Sequence, residues 1–138
     1  MTFELARLDT AARSEAGVSM PVTDLRTGQP FTDEDGAAVQ IVLRGRNSDA
    51  FRTAQRRIQE RRTAILARGA SLSREDIQRN DIELLEACTA GWTALTLDGQ
   101  PFPYSAENAR RLWADPRFEW LTAMAVAFIG NDGNFLAP

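Results

Sequence analysis

Sixteen arginines supply every positive side chain of this 138-residue sequence, which has no lysine and no histidine. Guanidinium stays protonated at any working pH, so the missing lysines remove the phosphate-loop lysine, Schiff-base chemistry and a lysine general base. The missing histidines remove Ser-His-Asp and Cys-His arrangements, an imidazole proton shuttle and His-ligated metals. What is left to test is short. Cys88 is the single cysteine, so no disulfide can form within the chain, and its place in the helical pattern Leu84, Leu85, Cys88, Trp92 marks a buried small hydrophobe rather than a nucleophile. Asp33-Glu34-Asp35-Gly36 has calcium-like composition, but an EF-hand loop with its glycine at position six would begin at Phe31, which is no ligand. Glu83 and Glu86 could perform acid-base work only inside a cleft, and a solvated helix face is their ordinary home. Asp98-Gly99 and Asp132-Gly133 read as turns. No catalytic residue, metal site or cofactor is assigned, and the expectation is a protein that is not an enzyme.

Contact chemistry is more prominent. Residues 44–68 hold eight arginines against only Asp49 and Glu60, a local balance of plus six in a chain whose net charge is −3. Phosphate binding would use such a cluster, yet its one aromatic residue, Phe51, belongs to the apolar stripe rather than to a base-stacking platform, no lysine is present, and the overall charge is negative. Two readings stay open side by side: a solvated helix whose arginines pair with the acidic helix after Gly69, and charge-complementary docking onto another subunit or an acidic helical partner. Arg57, Arg61 and Arg68, on the flank of the apolar stripe, carry the docking reading. Trp92 and Trp113 lie on apolar stripes and are assigned to the core. Trp120 and Met124, four residues apart on the side of the last helix away from Phe118, Leu121 and Ala125, fit a second buried face or an open patch for a partner, and the patch is the reading adopted.

The elements that must position these residues follow from periodicity and punctuation. Residues 2–16 read as a short helix with Phe3, Leu5, Leu8, Ala11 and Ala12 near one stripe, stopped by Gly17. Val22–Leu25 and Val39–Leu43 read as a two-stranded ribbon joined by turn-rich residues, which must lie on the helices or add to a neighbour's sheet, because two strands alone are barely stable. Ser48 caps a helix running to about Arg68, with Phe51, Ala54, Ile58 and Ile65 on a thin stripe that Arg62 crowds. Ser73 and Asp76 resemble a capping box opening a helix to about Thr93, whose stripe of Ile77, Leu84, Leu85, Cys88 and Trp92 is expected to centre the core. Residues 96–103 form a turn-bearing loop. Ser105 caps a short helix, and Asp115-Pro116 opens the last one. The fold class is mainly α with a small β-hairpin (α+β), in one domain over 1–138: a helix and hairpin in 1–45 and a helical part in 46–138. No apolar run approaches the roughly 20 residues of a membrane span and the N-terminus lacks an apolar leader, so a chain that stays in the cytoplasm is expected.

Taken in order, these segments resemble a family of small tailed-phage and prophage proteins, the tail assembly chaperones. Phe3 to Asp9 leads to Val22 to Pro30 with its Thr-Gly-Gln-Pro turn, then Ile41-Val42-Leu43-Arg44-Gly45-Arg46-Asn47-Ser48-Asp49 runs into a helix with Phe51-Arg52. Downstream, Leu84 to Trp92 precedes Leu97-Asp98-Gly99, Pro103 to Ala109 and a terminal Asn134-Phe135-Leu136. The resemblance spans almost the whole chain and rests on order and spacing rather than on one signature. It implies a non-enzymatic chaperone in the cytoplasm of the bacterial host that forms homo-oligomers around the helical tape-measure protein and helps recruit tail-tube protein. It transfers no residue with a named chemical role. The alternatives are a structural virion component, such as a minor tail or head-tail connector protein, and a nucleic-acid-binding regulator.

Overall fold

Three of the helices begin where the sequence offers a capping serine. In the computed structural model, which describes residues 1–138, the helices are α1 (Ala11–Ala16), α2 (Asp49–Ala67), α3 (Arg74–Cys88), α4 (Ala106–Ala114) and α5 (Glu119–Ile129). The Ser48 hydroxyl accepts the Phe51 N–H at 3.2 Å, and the Ser105 hydroxyl accepts the Asn108 N–H at 3.0 Å. Ser73 and Asp76 form a complete capping box: the Asp76 N–H donates to Ser73 Oγ at 3.1 Å and the Ser73 N–H to Asp76 Oδ2 at 2.9 Å. These bonds satisfy first-turn donors that a helix cannot pair internally. Before α5, Asp115 caps a 3-10 turn over Pro116–Phe118, so the last α-helix starts a turn later than its Asp-Pro signal.

The expected N-terminal helix is interrupted. A 3-10 turn covers Leu5–Leu8, and the Asp9 carboxylate then accepts the Ala11 N–H at 2.7 Å, restarting the chain as α1. Phe3, Leu5 and Leu8 lie on the surface, so the stripe does not face the core. Gly17 does stop α1, at a φ of 92° that favours glycine.

Three strands, β1 (Val18–Pro21), β2 (Gln40–Leu43) and β3 (Thr89–Trp92), form an antiparallel sheet in the order β1-β2-β3. The expected strand at 39–43 is therefore present, but its partner is Val18–Pro21 rather than Val22–Leu25. Met20 and Val22 share a buried face by the two-residue alternation of a strand, while Leu25 lies exposed in the loop beyond. The third strand replaces the last turn of the helix expected to reach Thr93. β4 (Thr96–Leu97) and β5 (Gln100–Pro101) make a separate hairpin whose turn, Asp98-Gly99, has φ of 50° and 80°, the combination that two-residue hairpins favour.

Thr89 explains why α3 ends where it does. Its hydroxyl donates to the Leu85 carbonyl and accepts the Trp113 indole N–H at 3.0 Å, while its own carbonyl accepts the Tyr104 hydroxyl at 2.9 Å. One buried residue thus closes the helix, opens the strand and ties both to α4 and to the chain before it. The core surrounds this point: Met20, Ile41 and Leu43 from the sheet, Leu85 and Cys88 from α3, Leu112 and Trp113 from α4, and Leu121, Ala125 and Ile129 from α5. Thr89→Val keeps the shape but removes the hydroxyl and orphans a buried indole N–H. It is expected to lower unfolding free energy by about 1–3 kcal/mol in chemical denaturation, whereas Thr89→Ser should retain most of it.

Candidate interaction surface

The arginine cluster divides by where each side chain goes. The Arg44 guanidinium donates to the Glu15 carbonyl at 3.2 Å, Arg46 pairs with Asp132 at 2.6 Å, and Arg52 pairs with Asp49 at 2.8 Å. Arg61 alone bridges to the acidic helix, reaching Glu83 and, at 2.8 Å, Asn80 Oδ1. The other four, Arg56, Arg57, Arg62 and Arg68, are exposed and form neither ion pairs nor hydrogen bonds through their side chains. Intramolecular neutralisation by α3 therefore accounts for one arginine of eight. The apolar stripe of α2 buries Ala54 and Ile58 and then fades: beyond Arg61 only Ile65 is half-buried, and Leu66 is 52% exposed. The first half of the helix is anchored and the second half faces solvent on nearly every side.

Two grooves flank α3. One, of about 810 Å³, lies among α2, α3 and α4 and holds Arg57 and Arg61 with Glu83, Glu86 and Arg110. Arg110 approaches Glu86 at 3.8 Å, so this groove is largely a seam of opposite charges, weak in water and screened by salt. The second, of about 630 Å³, lies among α3, α4 and α5, with Ile77, Ile82, Trp113 and Ala123 as apolar walls and Asp81, Asp115 and Glu119 as acids. Ile77, expected in the core stripe, is 52% exposed here. Because Asp81 has no ion-pair or hydrogen-bond partner for its side chain, burial raises its carboxyl above the ordinary carboxylate value. Elsewhere the Arg117 guanidinium holds the Asp98 and Asp115 carboxyls below that value, and Arg46 does the same for Asp132.

The five residues selected from sequence do not form one surface. Arg57 and Arg61 share the first groove, and Arg68 caps the end of α2 about 10 Å further along the helix axis. Trp120 and Met124 are on α5, and for them the open patch is corrected: both are half-buried and packed against the core, with the Trp120 ring centroid 6.5 Å from that of Phe31. Phe31 of the loop between β1 and β2 lies against Trp120, a long-range contact that no helical wheel contains. Sequence reasoning missed Leu66, Ile77 and Asp81. The signal for Leu66 was its offset of one residue from the α2 stripe, whereas the exposure of Ile77 depends on how α5 packs.

Cys88 is fully buried, and burial pushes its thiol up to about 12, so it remains a protonated thiol at neutral pH. No three acidic or cysteine side chains converge as a metal site would require, and no helix is long and apolar enough to cross a membrane. No family model matches the chain, and no curated protein or solved structure shows significant similarity to it.

The placements give two expected outcomes. Trp120→Ala should cost about 2–3 kcal/mol of stability in thermal or urea melts, the mark of a packed ring rather than of a free patch. At Asp81 the folded state disfavours the ionised carboxyl, so stability falls as pH rises from the ordinary carboxylate value through the raised one. Asp81→Asn should therefore melt above the parent chain at neutral pH and level with it once the pH is below about 3, where the unfolded carboxyl is also protonated.

Proposed function

We propose that the chain is a non-enzymatic tail assembly chaperone of a tailed phage, acting in the cytoplasm of the bacterial host by multimerising on the helical tape-measure protein and engaging tail-tube subunits. The observation that supports it best is the set of four unpaired arginines on a helix whose outer half keeps only Arg61 and Ile65 partly buried and exposes the rest. A long helix with an acidic stripe is the complementary surface, because an exposed guanidinium fork meets carboxylates on a facing helix without a preformed pocket. The family resemblance in the order of segments supplies the biological setting. The sheet supports a contact role only indirectly, since β3 closes one side of β2 from within the chain and leaves β1 as a short edge ending at Pro21.

Co-expression with the tape-measure protein of the same phage tests the reading. Affinity capture of the tape-measure protein should retain this chain, and Arg56→Glu with Arg57→Glu and Arg68→Glu should cut retention about tenfold or more with unchanged far-ultraviolet circular dichroism. Mature particles should lack the chain. Stoichiometric presence in virions would assign it to the structure instead, and DNA retention that falls steeply with salt would assign it to nucleic-acid binding.

A further inference from the structure

The outer half of α2 and the second groove match each other. Arg62 and Leu66 are four residues apart and so lie on one face of α2, both exposed and neither bonded through its side chain. Ile77 and Asp81 are likewise four apart on one face of α3, where they line the groove beside α5. When two helices run antiparallel, Leu66 falls opposite Ile77 as Arg62 falls opposite Asp81, since both steps cover the same four residues in opposite directions. Each missing partner is then supplied: the half-exposed Leu66 and Ile77 cover each other, and the lone guanidinium meets the lone carboxylate.

Within one molecule this pairing does not occur. α2 is fixed along α3 by Ala54, Ile58 and the Arg61–Glu83 bridge, no α2 residue lines the second groove, and Arg62 and Asp81 form no ion pair. We propose that the occupant of the groove is a second copy of this chain, whose α2 lies antiparallel to α3 with Arg62 on Asp81 and Leu66 on Ile77. The inference rests on the multimerising part of the function proposed above, and it is tested with this chain alone, so that its failure leaves capture of the tape-measure protein to be judged separately. The fit has a cost in the free chain. Asp81 sits partly desolvated with no ion-pair partner, Arg74 at the rim of the groove included, which is unfavourable for the monomer and is relieved when a guanidinium enters. Donor and acceptor are different patches, so every copy carries both and each contact leaves the complementary patches able to engage again or to close reciprocally.

Sedimentation velocity at tens of micromolar protein reads the outcome. The parent chain should associate at low salt and dissociate as salt rises. Arg62→Glu places acid against Asp81, and Asp81→Arg places base against Arg62, so each variant alone should weaken association about tenfold or more. Mixed in equal amounts they should associate again. The carboxylate introduced in one variant then meets the guanidinium introduced in the other, and at the second contact the original Arg62 meets the original Asp81. Leu66→Ser, at an exposed position that folding does not need, should also weaken association, which keeps the test decisive if Asp81→Arg fails to fold. Arg56→Glu, which makes the same charge change as Arg62→Glu off this face, should behave as the parent. A parent chain that stays monomeric at low salt overturns the inference, as does association unchanged by Arg62→Glu and Leu66→Ser. A monomeric parent whose Arg62 and Asp81 variants lose tape-measure capture would assign the face to that protein and equally overturn it.

Discussion

The hydroxyl and carbonyl of Thr89 hold together the parts on which everything else is built. A helix leaves its last carbonyls unpaired and a buried indole needs an acceptor, and here one β-branched residue meets both needs while turning the backbone from helical to extended. Because α3 ends at Cys88, the four residues Thr89–Trp92 can pair with β2, and because Tyr104 bonds to the Thr89 carbonyl, the chain before α4 is drawn against the sheet. Trp92 on the new strand then stacks on Phe102 at 5.4 Å with its indole N–H on the Phe102 carbonyl, and Tyr104 meets it edge-on. The direction of α3, and hence both grooves beside it, follows from this junction.

The ends of the chain are secured by a second, independent contact. Gly45 packs so closely that a Cβ there would lie 2.5 Å from Ser14 Oγ and 3.0 Å from the Phe135 ring, and Arg13 donates to the Leu136 carbonyl. Arg46 adds its bridge to Asp132 nearby. The N-terminal and C-terminal segments therefore meet at the loop that launches α2, which fixes the root of that helix and leaves its far end to project. Anchoring at one end and exposure at the other set α2 apart from the helices of the core.

Along the sequence a basic helix, α2, is followed by an acidic one, α3, an order that suggests mutual neutralisation. The structure satisfies it at Arg61 only. Helices in a hairpin present just one flank to each other, so the remaining arginines face solvent whatever the neighbouring segment's charge. Among its unpaired groups, Arg62 and Asp81 are opposite in sign and yet belong to different faces of this hairpin.

Sequence alone determined the features whose cause lies within a few residues: the caps at Ser48, Ser73 and Ser105, the stops at Gly17 and Gly69, the strand at 39–43, the thin stripe of α2, the mainly α fold with a small β component, and the burial of Cys88 and Trp113. These are local because one side chain reaches one turn of backbone. Tertiary structure decided the partner of the strand at 39–43, the change from helix to strand at Thr89, the covering of Trp120 by Phe31 and the exposure of Ile77. Each of these requires two segments far apart in the chain to compete for the same surface. An apolar stripe states that a face can be buried, and only the packed fold settles which neighbour buries it and which residues are left in water.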